Sequence, residues 1–204
     1  MRKCACLLVL AALAAAPLPA QTLVEIGQTA DLGGNSGHAA HYLLGFPVQV
    51  STTVNMQFFD VLFRTSGYQG EFAVYSDSGG APSQLVADTG IVSVSATGWQ
   101  SYPFLTAPTL QPGQYWLMGV FPSTASVGFL NSGTNPIDYI VWNFGTALPT
   151  TFGTPITYTG QMMNYAISTQ AVPEPSTPGL LAVGGLLLLA TRLRGRARPR
   201  QVQP

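Results

Sequence analysis

The chain is poor in charged residues, and its shortage of positive charge excludes one class of function at once. Only 8% of its 204 residues are charged. Between residues 21 and 172 the single basic residue is Arg64, against seven acidic residues, so this stretch has a net charge of −6. A surface that binds nucleic acid needs clustered Lys and Arg to neutralise phosphates. We therefore expect this protein to bind no nucleic acid.

Cysteine is almost absent, and its position excludes disulfide and thiol chemistry from most of the chain. Cys4 and Cys6 are the only two cysteines, and both precede any plausible cleavage point. A domain that begins after that point contains no cysteine, so it can form no disulfide. Neither residue stands at the end of the apolar stretch, where a lipoprotein carries its acylated cysteine, so we expect no lipid anchor there.

Histidine is also scarce, which limits metal and acid-base chemistry. His38 and His41 are the only two, and their spacing could offer two nitrogens to a metal on one helical turn. A third ligand would have to come from Asp31 or a distant acid, and the glycine-rich stretch 33–37 predicts an exposed loop or the start of a strand instead. Ser36 does not complete a Gly-x-Ser-x-Gly elbow, because His38 stands where the last glycine is needed. We assign no catalytic residue, no metal and no cofactor, and we expect no enzyme.

Residues 1–20 have the three-part layout of a secretory signal peptide. Two basic residues, Arg2 and Lys3, precede an apolar run over 4–16, and prolines then interrupt the helix before polar Gln21. The small residue before Gln21 fits signal peptidase, so we expect cleavage at that point. The alternative, an uncleaved anchor helix, is disfavoured because the run is too short for a bilayer core about 30 Å thick.

The other end of the chain combines a proline-rich stretch, an apolar run and a basic tail. We expect a short transmembrane helix over 179–193, which is marginal for about 30 Å of hydrocarbon because each helical residue adds about 1.5 Å. Five arginines follow within nine residues: Arg192, Arg194, Arg196, Arg198 and Arg200. The positive-inside rule keeps these arginines in the cytoplasm. The preceding domain then lies outside, as the signal peptide independently requires.

Residues 172–200 closely resemble the PEP-CTERM protein-sorting signal of Gram-negative bacteria that make extracellular polysaccharide. The motif is carried by Val172, Pro173, Glu174 and Pro175, followed by the short helix and the arginines. The arginine tail is more loosely spaced and longer than is usual in that family. The resemblance implies an exosortase-like processing enzyme as partner, an intermediate held in the membrane by the helix, and a final place at the cell surface or outside. The alternative is an ordinary single-pass anchor with a proline-rich linker.

Residues 21–171 are predicted to form one all-β domain, an antiparallel sandwich of the jelly-roll kind. Residues 91–95 alternate apolar and polar side chains, as a half-buried strand does. Three denser runs indicate central strands covered on both faces: 58–63, 115–121 and 138–144. Turn residues cluster between the runs, at 77–82, 96–98, 111–113 and 131–136. Such spacing without crossover helices is typical of a sandwich or jelly roll.

Residues 72–121 also resemble jelly-roll modules of bacterial surface proteins, which are similar in shape to carbohydrate-binding domains. The matching residues are Val74, Tyr75, Ser76, Asp77, Gly79, Gly80, Ala81, Pro82, Gly98, Trp99, Pro112, Gly113, Tyr115 and Trp116. This resemblance implies no particular binding residue. The stretch 77–80 could offer oxygens to calcium, but it lacks the alternating carboxylates of a dedicated loop, and a tight hairpin turn is the favoured interpretation.

Five aromatic side chains could stack on sugar rings, because a flat ring offers apolar area beside polar edges. They are Trp99, Tyr102, Trp116, Tyr139 and Trp142. Trp116 and Trp142 lie in the densest runs, so we assign both to packing. Trp99 follows Gly98 at a turn, and we predict that it is the exposed one and a platform for sugar.

These observations favour an exported, non-catalytic protein of the cell surface or extracellular matrix, with a structural or adhesive role. The alternative is a carbohydrate-binding module of the exopolysaccharide matrix. An extracellular hydrolase is a third hypothesis, and it would need paired acids in a cleft. Carboxylates such as Asp60 and Glu71 cannot be shown to converge from the sequence.

Overall fold

A computed structural model describes residues 23–131 and 134–170. The predicted signal peptide, sorting motif, transmembrane helix and arginine tail lie outside the described residues. Every regular element within them is a β-strand, so the all-β prediction is confirmed for this part of the chain. Within residues 23–131 and 134–170 there is no helix that is long and apolar enough to cross a membrane.

The described residues form fifteen strands, numbered here in chain order. The first eight are β1 Glu25–Gly27, β2 Gly34–His38, β3 Tyr42–Val50, β4 Val54–Asn55, β5 Phe58–Phe63, β6 Tyr68–Ser78, β7 Ala81–Val94 and β8 Gly98–Pro103. The others are β9 Thr109–Leu110, β10 Gly113–Val120, β11 Ala125–Leu130, β12 Pro136–Val141, β13 Ile156–Thr159, β14 Met162–Met163 and β15 Tyr165–Ser168.

These strands build two main antiparallel sheets, as in a β-sandwich. The first sheet has the order β1-β15-β5-β11-β14, with β2 added beside β11 and β8 beside β5. The second sheet has the order β13-β12-β3-β10-β6-β7. A small pair, β4 and β9, stands apart from both. Because β1 pairs with β15, the two ends of the described domain meet in the first sheet.

The main core lies between the two sheets and is rich in aromatic rings. Phe59 and Phe63 of β5 face Phe72 of β6, and the Phe59 and Phe72 rings stack with centroids 5.1 Å apart. The ring of Tyr102 of β8 also stacks on Phe72, with centroids 5.6 Å apart. Each such pair adds about 0.5–1.5 kcal/mol beyond the burial of its area. Because β5 pairs with β15, β11 and β8, the predicted dense run 58–63 lies at the centre of the first sheet.

A second, smaller core covers the outer face of the second sheet. Residues 142–153 lie across that face, and Leu148 and Phe152 of this segment pack against Tyr75 and Trp116. The Tyr75 hydroxyl donates a hydrogen bond of 2.9 Å to the Pro149 carbonyl oxygen. The prediction that Trp116 is a packing residue on a strand covered on both faces is confirmed.

The hairpin between β6 and β7 confirms the turn expected at 77–82. Ser78 pairs with Ala81 across a two-residue turn, and Gly79 and Gly80 have φ of 66° and 86°. Two consecutive positive φ angles suit glycine and match the twist of the strands. Asp77 accepts hydrogen bonds from the Gly80 amide at 3.1 Å and from Trp116 Nε1 at 2.8 Å, so its oxygens serve the turn and the sheet.

The glycine-rich stretch 33–37 forms most of a strand, so of the two alternatives expected there, an exposed loop or the start of a strand, the second is confirmed. Strand β2 pairs with β11 from Gly34, opposite Phe129, to His38, opposite Ala125. A Cβ on Gly34 would lie 2.3 Å from the Phe129 carbonyl oxygen, so glycine permits this close pairing. A strand that pairs closely because glycine has no side chain shows no alternation of apolar residues in its sequence.

Candidate functional site

The inner face of the second sheet is only partly covered where β12 and β13 form its edge. Val141 and Ile156 are 66% and 57% exposed there, although both are large and apolar. A groove of about 400 Å³ follows this edge. We name it the tyrosine groove, and its lining consists of Ala39, Tyr42, Leu44, Tyr139, Ile156 and Tyr158.

Strand register brings the three tyrosines of the groove together. Tyr139 of β12 lies between Leu44 of β3 and Ile156 of β13, while Tyr158 stands opposite Ile137. The Tyr139 ring meets Tyr42 at 5.3 Å and 67°, and it meets Tyr158 at 5.8 Å and 68°. These edge-to-face contacts hold the half-buried rings in fixed positions along the groove.

The hydroxyl of Tyr158 is held in place by a hydrogen bond to a neighbouring side chain. It donates a hydrogen bond of 2.6 Å to Gln161 Oε1. Burial raises the pKa of Tyr158, and the neighbouring Tyr139 raises it further. The phenol is therefore neutral at physiological pH, and the groove presents apolar rings and uncharged hydrogen-bonding groups.

A second, more enclosed cavity of about 210 Å³ adjoins the tyrosine groove. Ala39, Leu44 and Tyr158 belong to both linings, so the two spaces are neighbours. The remaining residues of this His38 cavity are Gly37, His38, Val127, Phe129, Gln161 and Met163. It lies between the sheets, with β2, β11 and β14 on one side and β3 and β13 on the other.

His38 is buried in the wall of this cavity, and our expectation that it is exposed was wrong. It stands opposite Ala125, a core residue, so its side chain points between the sheets and is only 4% exposed. Its ring contacts Phe121 edge to face at 4.7 Å. The expectation of exposure is confirmed for His41, which lies in a turn with φ of 60° and accepts a hydrogen bond from the Phe144 amide.

The two ring nitrogens of His38 differ in their surroundings. Nδ1 lies 3.1 Å from the Ala39 carbonyl oxygen, which can only accept, so this hydrogen bond places the hydrogen on Nδ1. Nε2 is buried without a hydrogen-bond partner, a state that costs about 1–3 kcal/mol. Burial lowers the pKa of His38 to about 4, and nearby carbonyls, such as those of Ala39 and Gly119, offset only part of that shift. The ring is neutral at physiological pH.

Trp99, the predicted platform, lies elsewhere. It is half-buried on β8 and pairs with Leu62, which alternates with core residues of β5 and so faces outward from the first sheet. The structure therefore does not bring Trp99 to the tyrosine groove, and the two are alternative platforms for sugar. Of the five aromatic residues named from the sequence, Tyr139 is the one in the groove. Tyr42 and Tyr158 were missed because only strand pairing brings them to Tyr139.

The acids Asp60 and Glu71 are not brought together either. Asp60 alternates with core residues of β5 and faces outward from the first sheet, where Ser101 Oγ donates to its Oδ1 at 2.5 Å. Its Oδ2 is buried without a partner. Glu71 faces outward from the second sheet, next to Phe72 of the main core on β6. Outward faces of different sheets lie on opposite sides of a sandwich, so these two carboxylates cannot share a cleft.

The pKa values of both acids are raised. Burial raises the pKa of Asp60 to about 6, and the hydrogen bond from Ser101 offsets part of that shift. Burial, and then the charge of Asp88, raises the pKa of Glu71 to about 7. Among residues 23–131 and 134–170 no group of three His, Cys, Asp or Glu side chains could hold a metal ion.

Comparison with known proteins identifies no relative of this chain. No protein-family model matches it, and neither a curated protein nor a solved structure does so. Its function is therefore inferred from the tyrosine groove, the His38 cavity and the sequence of its two ends.

Proposed function

We propose that the chain is an exported, non-catalytic protein of the cell surface or extracellular matrix, and that its domain adheres to neutral polysaccharide. The observation that carries this proposal is the tyrosine groove. Three half-buried rings line an open groove, held edge to face, at the exposed margin of a sheet. The outward positions of Asp60 and Glu71 on different sheets lend no support to a hydrolase that uses this pair.

The chemistry of the groove suits an uncharged sugar polymer. Pyranose rings present apolar C–H faces that pack on aromatic rings, and their hydroxyls can bond to tyrosine hydroxyls and to the Gln161 amide. The lining of the groove contains no charged side chain. The net charge of −6 over residues 21–172 repels anionic polymers such as those rich in uronic acid. A neutral polysaccharide is the ligand class that meets both conditions.

The route to the surface is proposed from the sequence of the two ends. Signal peptidase would remove residues 1–20, and an exosortase-like enzyme would act near Val172 to Pro175 on an intermediate held in the membrane by helix 179–193. Only three residues separate the end of β15 at Ser168 from Val172. The domain would therefore be close to the membrane until that processing step.

Intact mass and fractionation of the protein in its own host test this route. We expect a product that begins near Gln21 and lacks everything beyond Pro175, recovered from the cell surface or the medium. A membrane-bound product that retains the five arginines would contradict processing and leave a simple anchor. A product that stays in the cytoplasm with residues 1–20 attached would overturn export itself.

Substitution of Tyr139 tests the groove. We expect Tyr139→Ala to weaken binding to a neutral polysaccharide by about ten-fold, because it removes a stacking surface and frees its two neighbouring rings. Tyr139→Phe should bind nearly as well, since the ring remains. The measurement is retardation of the exported product in gels that contain dextran, pullulan, laminarin or mannan.

Trp99→Ala is the matched control, because Trp99 is also half-buried but lies on the outer face of the first sheet. It should bind as the unmodified protein does. If Trp99→Ala abolishes binding and Tyr139→Ala does not, the platform is Trp99 and the tyrosine groove is not the site. If the unmodified protein binds none of the four polymers, the proposal of neutral-polysaccharide adhesion is wrong.

A further inference from the structure

We infer that strand β13 is the contact surface of a homodimer, in which β13 of one copy pairs antiparallel with β13 of a second copy. The second sheets of the two copies then form one continuous sheet. This inference goes beyond the proposed function, because the contact is made by backbone groups at a sheet edge and requires no polysaccharide.

The two edges of the second sheet differ in how they are covered. At the β7 edge, a loop bonds to the strand. The Phe152 amide donates to the Ser83 carbonyl oxygen at 2.6 Å, and the Leu85 amide donates to the Thr150 carbonyl oxygen at 2.9 Å. At the β13 edge, no such cover is found in the part of the chain that the structure describes. All but one of the residues of β13 are exposed, so this strand is the open end of the sheet.

The hydrogen bonds between β12 and β13 show which backbone groups point to the open edge. The Gly160 amide donates to the Asn135 carbonyl oxygen, one step beyond the last pair of the ladder. Along an antiparallel ladder, hydrogen-bonded pairs alternate with pairs that are not hydrogen-bonded, so Tyr158 also bonds to β12. The amide and carbonyl groups of Thr157 and Thr159 therefore point away from β12, toward solvent.

These free groups fit one register between two copies. When Thr157 lies opposite Thr159 of the second copy, the two residues exchange both hydrogen bonds, and the two-fold axis repeats the pair. A register shifted to one side would use Pro155, which has no amide hydrogen. A shift to the other side is blocked because the chain leaves the second sheet after Gly160 and enters β14 of the first. Tyr158 then lies opposite Tyr158 of the second copy.

The distribution of charge favours a second copy at this edge. Residues 21–172 have a net charge of −6, so two copies repel each other in most orientations. Strand β13 has no charged residue, and Asp138 beside it on β12 is buried and accepts a hydrogen bond from Thr157 Oγ1 at 2.6 Å. Natural sheet edges are protected from pairing by Lys, Pro or other charged residues, and β13 contains none of them. Pairing also covers Ile156, which is 57% exposed.

The pairing joins the tyrosine grooves of the two copies. The rings of Tyr42, Tyr139 and Tyr158 follow one another toward the open edge. Opposite residues of an antiparallel pair have Cβ atoms about 4.5–5.5 Å apart, so the two copies of Tyr158 continue this row across the axis. If the groove binds polysaccharide as proposed, the dimer holds one chain at two sites and gains avidity.

Sedimentation equilibrium of the exported product, without polysaccharide, tests for the dimer. One short strand from each copy makes a contact smaller than a stable interface, so we expect a reversible equilibrium between monomer and dimer at micromolar to millimolar concentration. A product that stays monomeric up to millimolar concentration would overturn the inference.

Substitution of Thr159 tests whether β13 makes the contact. Thr159→Pro removes the amide that donates to Thr157 of the second copy, and we expect the dissociation constant of the dimer to rise about ten-fold or more. The domain itself loses no hydrogen bond, because this amide points away from β12. Thr159→Val keeps the amide and is the matched control, which should dimerise as the unmodified protein does. A Thr159→Pro variant that also dimerises normally would show that the contact lies elsewhere.

Cysteine cross-linking tests the register and decides the question if thermal melting shows that Thr159→Pro does not fold. No cysteine lies between residues 21 and 204, so a single introduced cysteine in the exported product can form a disulfide only with a second copy. Tyr158→Cys places the two sulfurs across the axis and should give a covalent dimer on mild oxidation. Val141→Cys is the control, because its copies are at least three strand spacings, about 14 Å, apart, too far for a disulfide. Equal yields from the two variants would contradict the register.

The outcomes separate this inference from the proposed function. A product that dimerises through β13 but binds no polysaccharide supports the dimer and overturns adhesion. A product that binds polysaccharide but stays monomeric supports adhesion and overturns the dimer. If both hold, Thr159→Pro should be retarded less than Thr159→Val in the polysaccharide gels, because it binds with one groove instead of two.

Discussion

Replacement of Trp116 by alanine is expected to lower the free energy of unfolding of the domain by about 4 kcal/mol. Trp116 is fully buried, and it is the largest of the fully buried side chains on the described residues. It lies on the outer face of the second sheet beneath the segment 142–153, and its Nε1 donates to Asp77 Oδ1 at 2.8 Å. Alanine would leave a cavity under that segment and remove this hydrogen bond.

Urea unfolding of the exported product measures the effect of Trp116→Ala. Trp116→Phe retains most of the packed ring and should lose less than half as much stability. Trp99→Ala is the matched control, because its indole is only half-buried at the surface of the first sheet. If Trp116→Ala and Trp99→Ala cost the same, residues 142–153 do not cover the second sheet as described.

Asp60→Asn is expected to gain stability relative to the unmodified domain as the pH rises from 5 to 8. The ordinary pKa of Asp60 is 3.8, and burial raises it to about 6 in the folded protein. The folded state therefore binds this proton more tightly than the unfolded state does. The resulting stabilisation is present at low pH and is lost as the pH rises through about 6.

The size of this effect follows from the shift in pKa. With a pKa of 3.8 in the unfolded chain and about 6 in the folded protein, this carboxyl contributes about 1.4 kcal/mol more stability at pH 5 than at pH 8. An asparagine keeps an oxygen that can accept from Ser101 and carries no charge, so Asp60→Asn should be more stable than the unmodified protein at pH 8. Glu71, whose pKa burial raises to about 7, contributes in the same direction as Asp60. His38, whose pKa burial lowers to about 4, contributes in the opposite direction, so Asp60→Asn changes the pH dependence by its own share only.

Urea unfolding at pH 5 and pH 8 checks this prediction, with Asp31→Asn as the matched control. Asp31 is exposed and forms an ion pair with Arg64, which lowers its pKa. Its replacement should give no gain at pH 8, because its carboxylate is already favourable there. An Asp60→Asn variant that keeps the full pH dependence of the unmodified protein would contradict the burial of a protonated carboxyl.

Much of the strand pattern could be predicted because its signals are local. The dense runs around Phe59 and Trp116 are strands at the centre of their sheets, and the glycines at 79 and 80 form the expected hairpin turn. The strand at Gly34–His38 was only one of two alternatives, because the sequence could not separate it from a loop. Its glycines allow the chain to approach β11 closely, and no apolar alternation marks such a strand.

The candidate site could be predicted only in part, because its members come from distant segments. Tyr139 was one of five aromatic residues that the sequence offered for sugar binding, whereas Tyr42 and His38 were not among them. Tyr42 and Tyr139 are almost a hundred residues apart, and the pairing of β3 with β12 places their rings 5.3 Å apart. Aromatic content shows which rings exist, but it does not show which of them meet.

The sequence by itself determined that this part of the chain is all-β, because alternation, dense apolar runs and turn glycines act over a few residues. It also carries the prediction of export and sorting, which depends on linear signals at the two ends. Only the tertiary structure decided which strands are neighbours and where the second sheet is left uncovered. Long-range pairing makes that choice, as at Gly45, where a Cβ would lie 1.7 Å from the Leu117 carbonyl oxygen of the adjacent strand. The groove lies where residues of β3, β12 and β13, which are distant in sequence, meet at one edge of the second sheet.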